Sequence, residues 1–349
     1  MVLGILFHTI GGIASGSFYM PFKKVQAWAW EVFWLFGGLF SWLIAPFVAA
    51  WLTVPDFNGI IGATEGHVKA FTYLMGLLWG VGGLTYGLGV RYLGMSLGNS
   101  VVLGFCSAFG SLVPPVYYAF HPVEGKTGII EMSQHPGGQI VLLGVLVCLI
   151  GIAVTGRAGM RKERELTDDQ KTASTAEFSL VKGLVIAVIS GVLSSFFNFG
   201  IEAGKPMAEQ AVVNGANPLF QNNVTYIVVL WGGLTTNLIW CVYLMWKNRS
   251  FGDFGKKDAP NTRNALLSAF AGTLWFLQFF FYGMGESRLG NGASSWILHM
   301  ATIILTANAW GLLLKEWQGV SKATFRTFLL GLALIIASIF LVGIGNAMK

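Results

Sequence analysis

Ten apolar runs, each near the ~20 residues a helix needs to cross a bilayer, alternate with short polar breaks along the chain. They fall at roughly 2–20, 30–52, 71–90, 97–119, 139–157, 181–201, 223–246, 265–284, 293–314 and 325–347. The breaks carry turn and charge signals, as in "VPDFNG", "HPVEGKTG" and "KNRSFGDFGKKDAPNTR". The pattern predicts an all-α, polytopic membrane protein with ten transmembrane helices. No positive charge precedes the first run and no cleavage-like site follows it, so the first helix is expected to be retained.

Composition agrees. Of 349 residues, 54% are hydrophobic and 11% charged, against about 25% charged in soluble domains. The 13 Trp, 27 Phe and 46 Gly suit a helix bundle with aromatic interfaces and close packing. The net charge of +6 sits in short loops rather than on a basic domain face, which excludes a nucleic-acid partner.

Charge also orients the chain. With the N-terminus outside, cytoplasmic loops hold Lys23, Lys24, Arg91, Arg157, Arg161, Lys162, Arg164, Lys171, Lys182, Lys247, Arg249, Lys256, Lys257, Arg263, Lys315, Lys322 and Arg326. Only Lys69, Lys126, Lys205, Arg288 and Lys349 of the 22 basic residues fall outside. An odd number of spans spoils this separation, so the positive-inside rule predicts ten spans with both termini outside.

The polar stretch 158–180 reads as a cytoplasmic linker at the chain's midpoint, between a first half at 1–157 and a second at 181–349. "GLLWGVGGLTYGLGVRYLG" (76–94) aligns with "GTLWFLQFFFYGMGESRLG" (272–290) at a shift of 196, with eight of 19 positions identical. Span three thus repeats as span eight. A weaker match sets 4–18 on 183–197, pairing spans one and six, and "LLG" recurs at 142–144 and 329–331. Five spans per copy is odd, so the second half is expected upside down. Inverted repeats are the signature of alternating access, with a substrate site near the midplane where the halves meet.

Trp275, Gln278, Phe279 and Tyr282 follow i, i+3, i+4, i+7 and share a helix face. Trp79 and Tyr86 take the matching places in span three, with Gly82 and Gly83 between them. Flat aromatic faces suit the C–H surface of a sugar or apolar metabolite, and an amide in hydrocarbon can bond hydroxyls. Trp79, Tyr86, Trp275, Gln278 and Tyr282 are therefore the candidate substrate-binding residues; the competing reading is helix packing. The Gly76–Gly80 and Gly83–Gly87 spacings fit close helix contacts.

An ionisable side chain within a span costs ~2.5–3.5 kcal/mol on insertion scales and marks a functional candidate. His8, Glu31 and His299 are the candidates for proton coupling. Their bland alternatives are hydrogen-bonded packing for the histidines and helix-end stabilisation for Glu31. Glu202 with Lys205, and Glu286 with Arg288, also read as simple charge pairs. Cys106, Cys148 and Cys241 lie apart within apolar runs, with neither metal spacing nor a disulfide framework. "GIEAGKP" (200–206) lacks the spacing and hydroxyl residue of a phosphate loop. No enzyme motif, cofactor or metal site is expected, and the energy source is an ion gradient or none.

The motifs "FYMPFKKVQAWAWE" (18–31), "YGLGVRYLGMSLG" (86–98), "TGRAGMRKE" (155–163), "AGKPM" (203–207), "LWFLQFFFYGMG" (274–285), "SWILHM" (295–300), "LKEW" (314–317) and "VGIGNA" (342–347) run in order over almost the whole chain. In these the chain resembles the L-rhamnose–proton symporter family of the drug/metabolite transporter superfamily. The resemblance implies ten spans, a bacterial inner-membrane location, a small-molecule sugar as partner, and uptake of L-rhamnose or a related deoxy sugar driven by proton entry. It carries over His8, Lys23, Lys24, Glu31, Lys205, Gln278 and His299 as matching polar positions. One departure is Glu286, where enteric-type members look to have histidine. No obligate protein partner is implied. Rival expectations are a drug or metabolite exporter, and a sodium-coupled or uncoupled sugar carrier.

Overall fold

Apolar side chains repeating without a break drive helix formation, because a backbone in hydrocarbon must satisfy its own hydrogen bonds. The computed structural model describes residues 2–122, 127–165, 179–290, 292–315 and 317–348, and among these the regular elements are all helical. Lys126, Lys171, Lys349 and residues 166–178 of the expected linker lie outside the described residues, as does the side chain of Arg91.

The chain begins with α1 (Val2–Ser17), α2 (Tyr19–Phe22), α3 (Trp30–Leu39), α4 (Ala45–Thr53), α5 (Phe57–Ala63) and α6 (Gly66–Phe120). Then come α7 (Ile129–Gln134), α8 (Pro136–Glu165), α9 (Leu180–Ala203) and α10 (Lys205–Val213). It closes with α11 (Asn223–Asn248), α12 (Asn261–Leu289), α13 (Gly292–Leu313) and α14 (Lys322–Ala347). A π-helical turn, Phe40–Ile44, joins α3 to α4 just before Pro46, a residue that cannot donate to the regular ladder. α8 runs to Glu165, so the first part of the stretch expected as a linker is helical.

Among the described residues nine helical stretches are long and apolar enough to cross a membrane. They correspond to every expected span except the third. Residues 71–90 lie instead within α6, one helical stretch of 55 residues that also holds the fourth span. α6 is not straight. A Cβ on Gly89 would lie 3.5 Å from Val102 Cγ2, whereas 13 residues of straight helix rise about 20 Å.

The chain divides into two compact units, neither of which is a half of the sequence. One holds Met1–Gly12, Gly82–Ser195 and Arg288–Lys349; the other holds Ile13–Val81 and Phe196–Ser287. We call them unit 1 and unit 2.

In unit 1, α8 and α14 are the most extensively paired helices, and they run antiparallel. Gly137 meets Gly345, Gly144 meets Val342, and Gly151 meets Gly331 and Ile335. A Cβ on Gly345 would sit 2.6 Å from the carbonyl oxygen of Gly137, so the absence of side chains lets the backbones touch. The unit's apolar core adds Val145, Cys148, Ile152, Ile297, Ala301 and Ile304.

Unit 2 has two cores. Ala50, Val54, Phe57, Ile60, Met207, Ala211, Val224 and Ile227 form an aliphatic one. The other is aromatic and carries the candidate site. Its outward-facing residues such as Trp51, Leu52, Ile239 and Trp246 are exposed apolar groups, which suits a lipid-facing surface.

Of the glycine pairs expected to make close contacts, Gly76 and Gly80 do. A Cβ on Gly76 would collide with the carbonyl oxygen of Val229, and one on Gly80 would lie 2.9 Å from Thr236 Cβ. Gly83 and Gly87 meet no neighbour within 4 Å. Spacing alone does not say which helix faces a partner.

Candidate functional site

α12 places Trp275, Gln278, Phe279 and Tyr282 along one stripe, and Gln278, Phe279 and Tyr282 are buried. The Trp275 ring lies 4.3 Å from Phe18, 5.2 Å from Trp34 and 6.1 Å from Trp42, between ring centroids. Trp34 is held by its indole N–H, which donates to Asn237 Oδ1 at 2.9 Å. Gly37, Gly38 and Gly272 line a narrow cleft between Trp34, Trp42, Phe22 and Trp275. In this conformation the cleft admits no water-sized sphere, so ring movement has to precede occupancy.

Trp79 extends the same wall. Its ring centroid stands 6.4 Å from Trp42, 5.0 Å from Phe197 and 5.7 Å from Phe279. Trp79 and Trp275, expected to approach a shared cavity, both meet Trp42 edge to face. One turn past Gln278, the Tyr282 hydroxyl donates to Asn198 Oδ1 at 3.2 Å. Four of the five expected substrate residues thus belong to unit 2. Tyr86 belongs to unit 1, packed on Leu93, Val102 and Ala187.

His8 and His299, both buried, come together in unit 1 with ring centroids 5.7 Å apart. The Thr302 hydroxyl ties their helices by donating to the carbonyl oxygens of His8 at 3.0 Å and His299 at 2.8 Å. Glu31 belongs to unit 2. Its Oε1 accepts from Asn248 Nδ2 at 3.0 Å and Ser250 Oγ at 2.6 Å, joining the first turn of α3 to the end of α11.

Sequence reasoning passed over several polar groups. Asn198 meets Tyr282, Asn222 Nδ2 donates to Glu286 Oε2 at 2.9 Å, and Asn237 fixes Trp34. The rule that singled out Gln278, an amide within an apolar run, applies equally to Asn198 in "SSFFNFG" and Asn237 in "LTTNLIW". Glu286, read as a surface partner of Arg288, bonds an amide on α11. Among the described residues no three His, Cys, Asp or Glu side chains are grouped to hold a metal.

Apolar helices, an aromatic cleft and buried ionisable groups within spans define a multi-pass membrane protein with a polar and aromatic interior. Residues 1–348 match the family model described as L-rhamnose-proton symport protein (RhaT). Similar proteins include the L-rhamnose-proton symporters of Cronobacter sakazakii and Pectobacterium atrosepticum, each 38% identical over 352 residues. That of Yersinia pestis (strain Pestoides F) is 37% identical. Each alignment covers 99% of this chain and 98% of the relative. The chain belongs to the L-rhamnose-proton symport protein family, which is a family of transporters and not of enzymes.

Proposed function

We propose that this protein carries L-rhamnose, or a closely related deoxy sugar, across the bacterial inner membrane together with a proton. The observation that carries the reading is the end-to-end match to proteins named as L-rhamnose-proton symporters. The aromatic wall and amide of α12 support it chemically. Trp79, Trp275, Gln278 and Tyr282, with Tyr86, receive the sugar, the rings taking its C–H face and the amide its hydroxyls. His8, His299 and Glu31 are the coupling groups. Protonation from outside favours sugar binding, the loaded site reorients, and loss of the proton inside releases the sugar. No cofactor or protein partner enters this cycle.

The architecture that goes with it is ten spans in two inverted halves, 1–157 and 181–349, joined by a cytoplasmic linker at 158–180, with both termini outside. Helix contacts support the duplication. If spans two and three correspond to seven and eight, a contact of three with seven recurs as eight with two. Gly76 abuts Val229 of α11, and Gly272, its counterpart 196 positions on, abuts Gly37 of α3. Similarly, Gly12 of span one abuts Thr302 of span nine. Gly191, its counterpart in span six, abuts Val102 and Cys106 of span four. Cys106 and Thr302 are again 196 apart. Spans five and ten are α8 and α14, which pair with each other. Each compact unit also draws corresponding stretches from both halves. An inverted repeat of this kind is how alternating access is built.

The test is purified protein in liposomes with an acid-outside gradient, comparing uptake of L-rhamnose, fucose and lyxose. Rhamnose accumulation that a protonophore abolishes is the expected result. Uptake indifferent to the pH gradient identifies a sodium-coupled or uncoupled carrier, and net efflux under every gradient identifies an exporter. Gln278→Leu should raise the KM for rhamnose while leaving the fold intact; unchanged affinity assigns Gln278 to packing.

A further inference from the structure

At the far end of the α12 stripe, residues of three helices within unit 2 converge on polar groups, of which helical spacing selects Tyr282 alone. Asn222 and Tyr226 stand one turn apart at the start of α11, Tyr282 and Glu286 one turn apart at the end of α12, and Asn198 comes from α9. Asn222 Nδ2 donates to Glu286 Oε2 at 2.9 Å, and Tyr282 Oη donates to Asn198 Oδ1 at 3.2 Å. Asn198, Asn222, Tyr226 and Tyr282 are all buried.

Tyr226 is fully buried, at 0% exposure. Its hydroxyl lies 2.8 Å from the point a Cβ on Gly283 would occupy, and the same point is 3.5 Å from Asn222 Nδ2. Yet it makes no hydrogen bond of acceptable geometry. A buried hydroxyl left in that state costs stability unless something else repays it. Phenylalanine here would give the same packing without the cost. The ring beneath is well fixed. It stacks on Phe197 with centroids 6.1 Å apart and an interplanar angle of 19°, and Phe197 stacks on Phe279 at 4.1 Å. Aromatic rings running from Trp79 through Phe197 to Tyr226 therefore end in an amide, a carboxylate and a phenol. An amide, a carboxylate and a phenol together can donate to and accept from adjacent hydroxyls on one edge of a pyranose.

We propose that Tyr226, Asn222 and Glu286 form a polar subsite that binds ring hydroxyls of the transported sugar. Asn222 orients the Glu286 carboxylate, which accepts a sugar hydroxyl, and the Tyr226 hydroxyl bonds a neighbouring one. The subsite rests on the sugar-transport reading above and extends it from the tryptophan cleft to the other end of the α12 stripe.

The decisive variants are Tyr226→Phe and Glu286→Gln, assayed for L-rhamnose uptake in liposomes and for binding by tryptophan fluorescence in detergent. The expected result for Tyr226→Phe is a KM and Kd raised about 3- to 10-fold, as for loss of one hydrogen bond, with thermal stability kept or raised. Glu286→Gln should raise them more than about 10-fold, because its hydrogen bond is charged. Analogues of L-rhamnose each lacking one ring hydroxyl supply a second readout. One of them should bind wild type more weakly than rhamnose does, yet lose nothing further in Tyr226→Phe. Wild-type KM in both variants overturns the subsite while leaving rhamnose transport in place. A wild type that neither binds nor carries rhamnose overturns the transport reading itself, and the subsite with it.

Discussion

The imidazoles of His8 and His299 meet edge to face, 5.7 Å apart between ring centroids, although they come from opposite ends of the chain. Two positive charges at that separation repel by about 3 kcal/mol even at an effective dielectric constant of about 20. On the coupling reading proposed above, the pair takes up one proton shared between its two members. His8→Asn and His299→Asn should each abolish accumulation driven by a pH gradient while leaving rhamnose exchange at equal pH. The double variant should be no worse than either single one. Two separate, additive losses would show that the histidines act independently.

Glu165, beyond the membrane-spanning part of α8, caps the start of α14. Its carboxylate accepts from the Thr324 hydroxyl at 2.6 Å, the Ser321 backbone N–H at 2.6 Å and the Ser321 hydroxyl at 2.8 Å. These bonds hold the carboxyl below its ordinary range, the Thr324 hydroxyl contributing most. A carboxyl depressed in the folded state stabilises above its unfolded value, about 4.3, and loses that effect as pH falls through the folded value. Wild type should melt higher than Glu165→Gln at pH 7, and the gap should close below pH 4. A gap that persists at pH 3 would rule out the carboxylate as its source.

Gly345→Ala should lower thermal stability in detergent by about 1–3 kcal/mol, since the new methyl overpacks against Gly137. Gly83→Ala makes no such contact and should be neutral or stabilising by up to about 1 kcal/mol from helix propensity. Equal effects of the two would refute the close approach of α8 and α14.

Trp34→Phe keeps a ring in the cleft but removes the N–H that serves Asn237 Oδ1. A buried acceptor left unsatisfied costs about 1–3 kcal/mol. Asn237→Ala in the Trp34→Phe background should then add much less than it does in wild type. Full additivity in that double-mutant cycle would mean the hydrogen bond contributes nothing.

Nine of the ten expected spans were legible because a bilayer imposes a length and a polarity that each run must satisfy alone. The third was less legible as a separate element: Gly82, Gly83, Gly87 and Gly89 leave its apolar character weak, and the helix continues through its end. Helical spacing also found the α12 stripe, since i, i+3, i+4 and i+7 share a face whatever lies opposite. Its partners were not legible. Trp34, Trp42 and Phe197 look like ordinary apolar residues of other spans, and only their approach to Trp275 and Trp79 distinguishes them.

The sequence by itself determined the membrane class, most of the spans and the faces that hold Trp275, Gln278 and Tyr282. Those properties are local, set by polarity and by the pitch of one helix. Tertiary structure decided which helices meet. It paired His8 with His299, turned Glu286 toward Asn222, placed Glu31 between Asn248 and Ser250, and separated Gly76, which touches a neighbour, from Gly83, which does not. In hydrocarbon every helix is apolar all round, so hydrophobicity does not rank its faces; only steric fit and the few buried polar groups do.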